Sequence, residues 1–154
     1  MRRTQAILGL IVGAFVAVGV RASERKIDRT DLPPAVERTV AAQSAGATVR
    51  GFSKEVDKGQ TFYEAKLTVS GHSKDILIDA NGSVVEVEEE VSLASLAASV
   101  QAGLKAGTAS GTIKKVESIT KNGRLVAYEA HVDTKGKRSE VQVGPDGKSP
   151  GHEE

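Results

Sequence analysis

Glu129, His131 and Asp133 recur at every second position of one strand-like stretch, a spacing that puts all three side chains on one face of a β-strand. An imidazole between carboxylates is a donor set for a divalent metal such as Zn²⁺. Neighbours on a single strand supply only part of a coordination shell, however. The corresponding stretch earlier in the chain reads Glu64-Lys66-Thr68, so the adopted reading is a solvated polar face with no metal. The other two histidines, His72 and His152, fall in a turn and in the C-terminal tail. No histidine lies in a nucleophile–base motif and the glycines are spaced as turn residues, not as a phosphate loop. The expectation is a protein that is not an enzyme and carries no cofactor.

The remaining candidates are apolar or singly charged. Tyr63 and Tyr128 alternate with Ala, Leu and Val and so belong to a core. Phe62 and Leu77 fall on the opposite, outward face by the same alternation. Large apolar groups there imply either a second sheet packed against them or a partner surface. The candidate partner-binding set is therefore Phe62, Glu64, Lys66, Leu77, Glu129, His131 and Asp133.

The composition narrows the classes. The chain has 154 residues, 39% hydrophobic and 27% charged, with aromatics at only 3%, so the core must be built from Val, Leu, Ile and Ala. The absence of Cys excludes disulfides, thiol catalysis, thiolate metal sites and a lipobox anchor. Arg2 and Arg3 precede an unbroken apolar run over 6–20, and Val20-Arg21-Ala22 offers small residues at −3 and −1 of a cleavage site before Ser23. That is the three-part pattern of a secretory signal peptide, and the run is shorter than a bilayer span. The expectation is export to the periplasm or exterior of a bacterial envelope, with no membrane span left after cleavage. Of 21 basic residues three lie in this leader, leaving 18 against 20 acidic ones, a mature charge near −2. Nucleic acid is not an expected partner.

Positions 23–31 are polar and read as a flexible lead-in. Asp31, Pro33 and Pro34 suit a helix start, and Leu32, Val36 and Val40 form one apolar stripe ending before Gly46. Strands are expected over 48–56, 61–70, 74–79 and 83–88, turning at Gly59, Gly71 and Asn81-Gly82. The acidic run Glu88-Glu89-Glu90 reads as a helix start, followed by a helix over 91–105 whose end Gly103, Gly107 and Gly111 loosen. From there the chain repeats itself. A shift of 64 carries Leu32, Val36 and Val40 onto Leu96, Val100 and Leu104. A shift of 65 carries Tyr63-Glu64-Ala65 onto Tyr128-Glu129-Ala130, Gly71 onto Gly136 and Asn81-Gly82 onto Asp146-Gly147. Pro150 and Gly151 stand where the last strand would be. The expected fold is α+β, in two tandem repeats over 32–90 and 91–150. Each repeat has one helix packed on a three- to four-stranded antiparallel meander, and a tail follows over 151–154.

The strand Tyr63-Glu64-Ala65, followed by Asp79-Ala80-Asn81-Gly82-Ser83-Val84, resembles the PepSY and PepSY-like (beta-lactamase-inhibitor-like) superfamily. The second copy, Tyr128-Glu129-Ala130 with Gly144-Pro145-Asp146-Gly147, is a weaker match. The resemblance implies a secreted or envelope domain, often in tandem, acting as a protease inhibitor or an intramolecular chaperone. Together these readings lead to an exported, non-enzymatic, inhibitor-like or chaperone-like protein that binds an envelope or secreted protein through a sheet face. The alternatives are a small-ligand or metal-binding envelope protein using a cleft between the repeats, and a structural envelope domain.

Overall fold

Alternating burial along extended segments dictates the architecture. The computed structural model describes residues 24–150; the leader and the tail lie outside the described residues. Eight strands follow one another: β1 (Arg25–Ile27), β2 (Thr48–Asp57), β3 (Gln60–Val69), β4 (His72–Asp79), β5 (Val84–Glu90), β6 (Thr112–Lys121), β7 (Arg124–Thr134) and β8 (Lys137–Val143). All pair antiparallel in sequence order, giving one eight-stranded meander. Two helices, α1 (Pro34–Gln43) and α2 (Ala98–Gly107), interrupt it after β1 and after β5.

This corrects the expected fold class. There are not two repeats, each with a helix on its own small sheet. Glu88-Glu89-Glu90 does not start a helix; it stays extended as the end of β5, and β5 pairs with β6 from Glu86 opposite Lys121 to Glu90 opposite Glu117. Backbone bonds from Val91 N–H to the Val116 carbonyl and from Asn122 N–H to the Val85 carbonyl close both ends of that ladder. A seam with a cleft is thus replaced by continuous pairing. The second helix starts later than expected, at Ala98, because Leu93–Ser95 forms a 3-10 turn first. The lead-in is also structured: Arg25–Ile27 adds β1 to the edge beside β2, and Arg29–Asp31 forms a 3-10 turn. Asp31 does not cap α1; its carboxylate accepts from the Asp28 N–H, and Pro33 occupies the cap position.

Both helices cover the same sheet face. Val36 and Val40 of α1, with Leu32 before it, pack on Tyr63, Ala65, Leu67, Ile76 and Ile78. Val100 and Leu104 of α2 pack on Val116, Ala130, Val132 and Val143, with Leu96 and Tyr128 partly buried beside them. Pairing of Glu89 with Ser118, and of Ser118 with Tyr128, carries this face across β5, β6 and β7. Tyr63 and Tyr128 therefore face the helices, as the alternation predicts.

Glycine seats α2. At Gly103, Gly107 and Gly111 an added Cβ would lie 2.0 Å from the Gly147 carbonyl oxygen, 2.4 Å from Val141 Cγ1 and 2.3 Å from Val132 Cγ1, respectively. These positions do not loosen the helix end; they bring it against β7, β8 and the turn beyond. Because the halves share one ladder, 24–90 and 91–150 expressed separately would each expose a long unpaired edge, β5 or β6. Neither fragment is expected to give a dispersed amide spectrum, whereas the intact chain gives one. Two well-folded fragments would contradict the single sheet.

Candidate functional site: the open sheet face

No helix covers the other face among the described residues. Cross-strand register places its side chains in rows. One runs Ser53, Glu64, Leu77, Glu86 and Lys121; a second runs Lys66, Asp75, Glu88, Ile119 and Ala127. A third passes through Thr68, Ser73, Glu90, Glu117, Glu129 and Gln142. Carboxylates dominate, because β5 alternates Val84, Val87 and Glu89 inward with Glu86, Glu88 and Glu90 outward. Glu55, Glu64, Asp75, Leu77, Glu86 and Glu88 line one shallow hollow on this face.

Of the sequence-predicted residues, Phe62, Glu64, Lys66 and Leu77 share this face on β3 and β4, Phe62 opposite Asp79 and Leu77 between Glu64 and Glu86. Glu64 accepts from Ser53 Oγ at 2.7 Å and pairs with Lys66 at 3.1 Å; Lys66 also reaches Glu24 at 3.4 Å. Burial works against the Lys66 ammonium, but bonds to Glu64 and Glu24 outweigh it and raise its pKa. Asp75 pairs with Arg50 at 2.8 Å, yet desolvation keeps its carboxyl above the usual range.

Glu129 and His131 meet on β7, but Asp133 does not join them: it lies opposite Arg138 and accepts from the Gly136 N–H in the β7–β8 turn. The third member is Glu117 of β6, directly opposite Glu129. Lys115-x-Glu117 alternates just as Glu129-x-His131 does, and only the strand register, not spacing within one strand, brings them together. Glu117 and Glu129 are 3% and 8% exposed. His131 Nε2 lies 2.6 Å from Glu117 Oε2 and 3.5 Å from Glu129 Oε1, and its Nδ1 lies 3.8 Å from Glu140 Oε1. Lys115 Nζ donates to Glu117 Oε1 at 2.6 Å, and Gln142 Nε2 donates to Glu129 Oε2 at 2.5 Å.

The electrostatics follow. Burial pushes Glu117 up, but hydrogen bonds from His131 and Lys115 prevail and hold it at about 2. Glu129 is raised by desolvation, and His131 is raised by its bond to Glu117. A raised histidine stabilises the fold fully below its ordinary value near ~6.5 and loses that effect as pH rises through the folded value; a depressed glutamate acts above its ordinary value and loses its effect toward about 2. The cluster thus contributes most between roughly pH 4.5 and 6.5. In metal-free buffer the stability gap between wild type and His131→Gln is expected to shrink above that window, measured by urea unfolding at several pH values. A gap that widens with pH would contradict the pairing.

No protein-family model matches the chain, and no curated protein does either. Its backbone does match solved structures. A protein described as periplasmic from Bacteroides eggerthii DSM 20697 aligns with TM-score 0.61 at 16% identity, over 77% of this chain and 85% of that one. A DUF2874 family protein from Bacteroides ovatus ATCC 8483 aligns with TM-score 0.59 at 20% identity, over 77% and 84%. A BLIP-like protein from Bacteroides fragilis NCTC 9343 aligns with TM-score 0.55 at 20% identity, over 77% and 84%. Among the described residues no helix is long and apolar enough to cross a membrane. At these identities the likeness is one of architecture, and the fold of this chain is BLIP-like.

Proposed function

We propose that this chain is an exported, non-enzymatic binding protein whose open sheet face takes a basic segment of an envelope or secreted protein. One observation carries the reading. Both helices occupy one face of the sheet, and the other presents the partly exposed carboxylates Glu64, Asp75, Glu86 and Glu88 around the apolar Leu77. An acidic surface with an apolar point at its centre complements a Lys- and Arg-rich segment that carries an apolar anchor. Export rests on the signal-peptide pattern and is supported by a structural neighbour described as periplasmic. The inhibitor-like character draws support from the BLIP-like neighbour, and kinship with PepSY-like domains from the motifs at Tyr63 and Asp79.

The test uses a defined probe. A ten-residue peptide alternating Lys with Leu and Gly, titrated into ¹⁵N-labelled protein, is expected to bind saturably and to shift amides of β3 to β7. Glu86→Lys/Glu88→Lys should weaken binding at least ~10-fold, and added salt should weaken it as well. Shifts confined to α1 and α2, or unchanged binding by the charge-reversed protein, would contradict the proposed face.

A further inference from the structure

We infer that Glu117, Glu129 and His131 form a binding site for a divalent transition metal, Zn²⁺ foremost, with one coordination position open to the outside. This inference stands independently of the partner-binding reading, because it uses only the donors of β6 and β7. One ligand atom from each residue lies within 4.8 Å of the others. Ligands of a tetrahedral Zn²⁺ at about 2.0–2.1 Å from the metal stand about 3.3 Å apart. The 3.5 Å between His131 Nε2 and Glu129 Oε1 already fits that figure, and the 2.6 Å contact to Glu117 Oε2 needs to open by less than an ångström. Two carboxylates and a neutral imidazole also balance a 2+ charge.

The surroundings orient the donors. Each glutamate has one oxygen held from outside the cluster, Glu117 Oε1 by Lys115 and Ser73 and Glu129 Oε2 by Gln142; the other oxygen is left toward His131 Nε2. Glu140 Oε1 lies 3.8 Å from His131 Nδ1, where its charge favours a proton on that nitrogen once Nε2 gives up its own to a metal. Two glutamates placed directly opposite each other on adjacent strands repel, and a cation between them relieves that cost. Both carboxylates are buried while His131 is 33% exposed on its side chain, so the vacant coordination position points to the solvent side. Oxygen and imidazole donors in this ratio suit Zn²⁺, Co²⁺ or Ni²⁺ and not a soft monovalent ion.

The experiment takes untagged protein stripped with chelator and titrates ZnCl₂ by calorimetry, with Co²⁺ visible absorption as a spectroscopic readout. The expected result is one saturable site, a rise in melting temperature with Zn²⁺, and cobalt bands typical of low coordination number. His131→Gln and Glu129→Gln should each weaken binding at least ~10-fold, Gln142→Leu should weaken it by a similar factor through loss of orientation, and His72→Gln should bind as wild type does. If His131→Gln fails to fold, Glu129→Gln and the cobalt spectrum still decide. Absence of saturable binding, or binding that survives Glu129→Gln but not His72→Gln, would overturn the inference and leave the cluster an ion pair.

Discussion

Gly103→Ala is expected to destabilise the protein by about 2 kcal/mol, opposite in sign to what helix propensity sets. Alanine within a helix is normally favoured over glycine by roughly 0.5–1 kcal/mol. Here the added methyl would sit 2.0 Å from the Gly147 carbonyl oxygen and 3.2 Å from Val143 Cγ1, and the nearest obstacle is backbone that cannot swing aside. Either α2 lifts from the sheet or the turn after β8 moves, and both open the cluster around Val100, Leu104 and Val143. Gly147→Ala compounds the effect, since its φ is +82° and its Cβ would meet the Ser99 carbonyl oxygen at 2.2 Å. Gly59→Ala is the matched control. Gly59 has φ of +80° but nothing within 4 Å, so it carries backbone strain alone. Urea unfolding should therefore rank Gly147→Ala well below Gly59→Ala in stability. Equal losses would mean that α2 is not seated through these contacts.

The second large effect tests whether the two hydrophobic clusters belong to one cooperative unit. Leu67 lies in the α1 cluster and Leu104 in the α2 cluster, and both are fully buried. Truncation of either to Ala is expected to cost about 3 kcal/mol from lost burial and the cavity left behind. The clusters do not merge, so two independent transitions are conceivable. The β5–β6 ladder argues for one, because melting either half strips its neighbour of a hydrogen-bonded edge. Both variants should shift a single transition seen alike by far-UV circular dichroism and by amide exchange. A split transition in either one would show that the ladder does not couple the halves.

Much of this was legible in the sequence, and what was missed has specific causes. The alternation around Tyr63 gave the strand and its buried face because period-two burial is local information. The Asp79-Ala80-Asn81-Gly82 turn was legible for the same reason. Asp79 Oδ1 accepts from the Asn81 and Ser83 amides, and Gly82 takes φ of +90°. The docking role of Gly82 was not. Its carbonyl accepts from Thr39 Oγ1 of α1, and a Cβ there would lie 2.7 Å from the Ala35 carbonyl oxygen, contacts that depend on the tertiary fold. Glu88-Glu89-Glu90 was misread because acidic residues suit both a helix N-terminus and the wet face of a strand, and only the pairing partner β6 separates the two. Glu117 escaped notice for a related reason: its partners Glu129 and His131 lie on the next strand, and two bulges in the β6–β7 pairing prevent a register count from the sequence alone. The spacing of Gly103 and Gly107 by four was visible, and two small residues on one side of a helix were the available sign of close packing; Gly111 lies beyond the end of α2.

The claim on which the account turns is that the uncovered sheet face is the working surface. Photo-crosslinking tests it most directly. A photoreactive amino acid placed at Leu77 on the open face, or at Arg38 on the exposed side of α1, is compared in living cells, and the adducts are mapped by mass spectrometry. The account predicts a discrete protein adduct from position 77, absent at position 38, with its crosslinked segment rich in Lys and Arg. Adducts arising equally from both positions, or from position 38 alone, would contradict it.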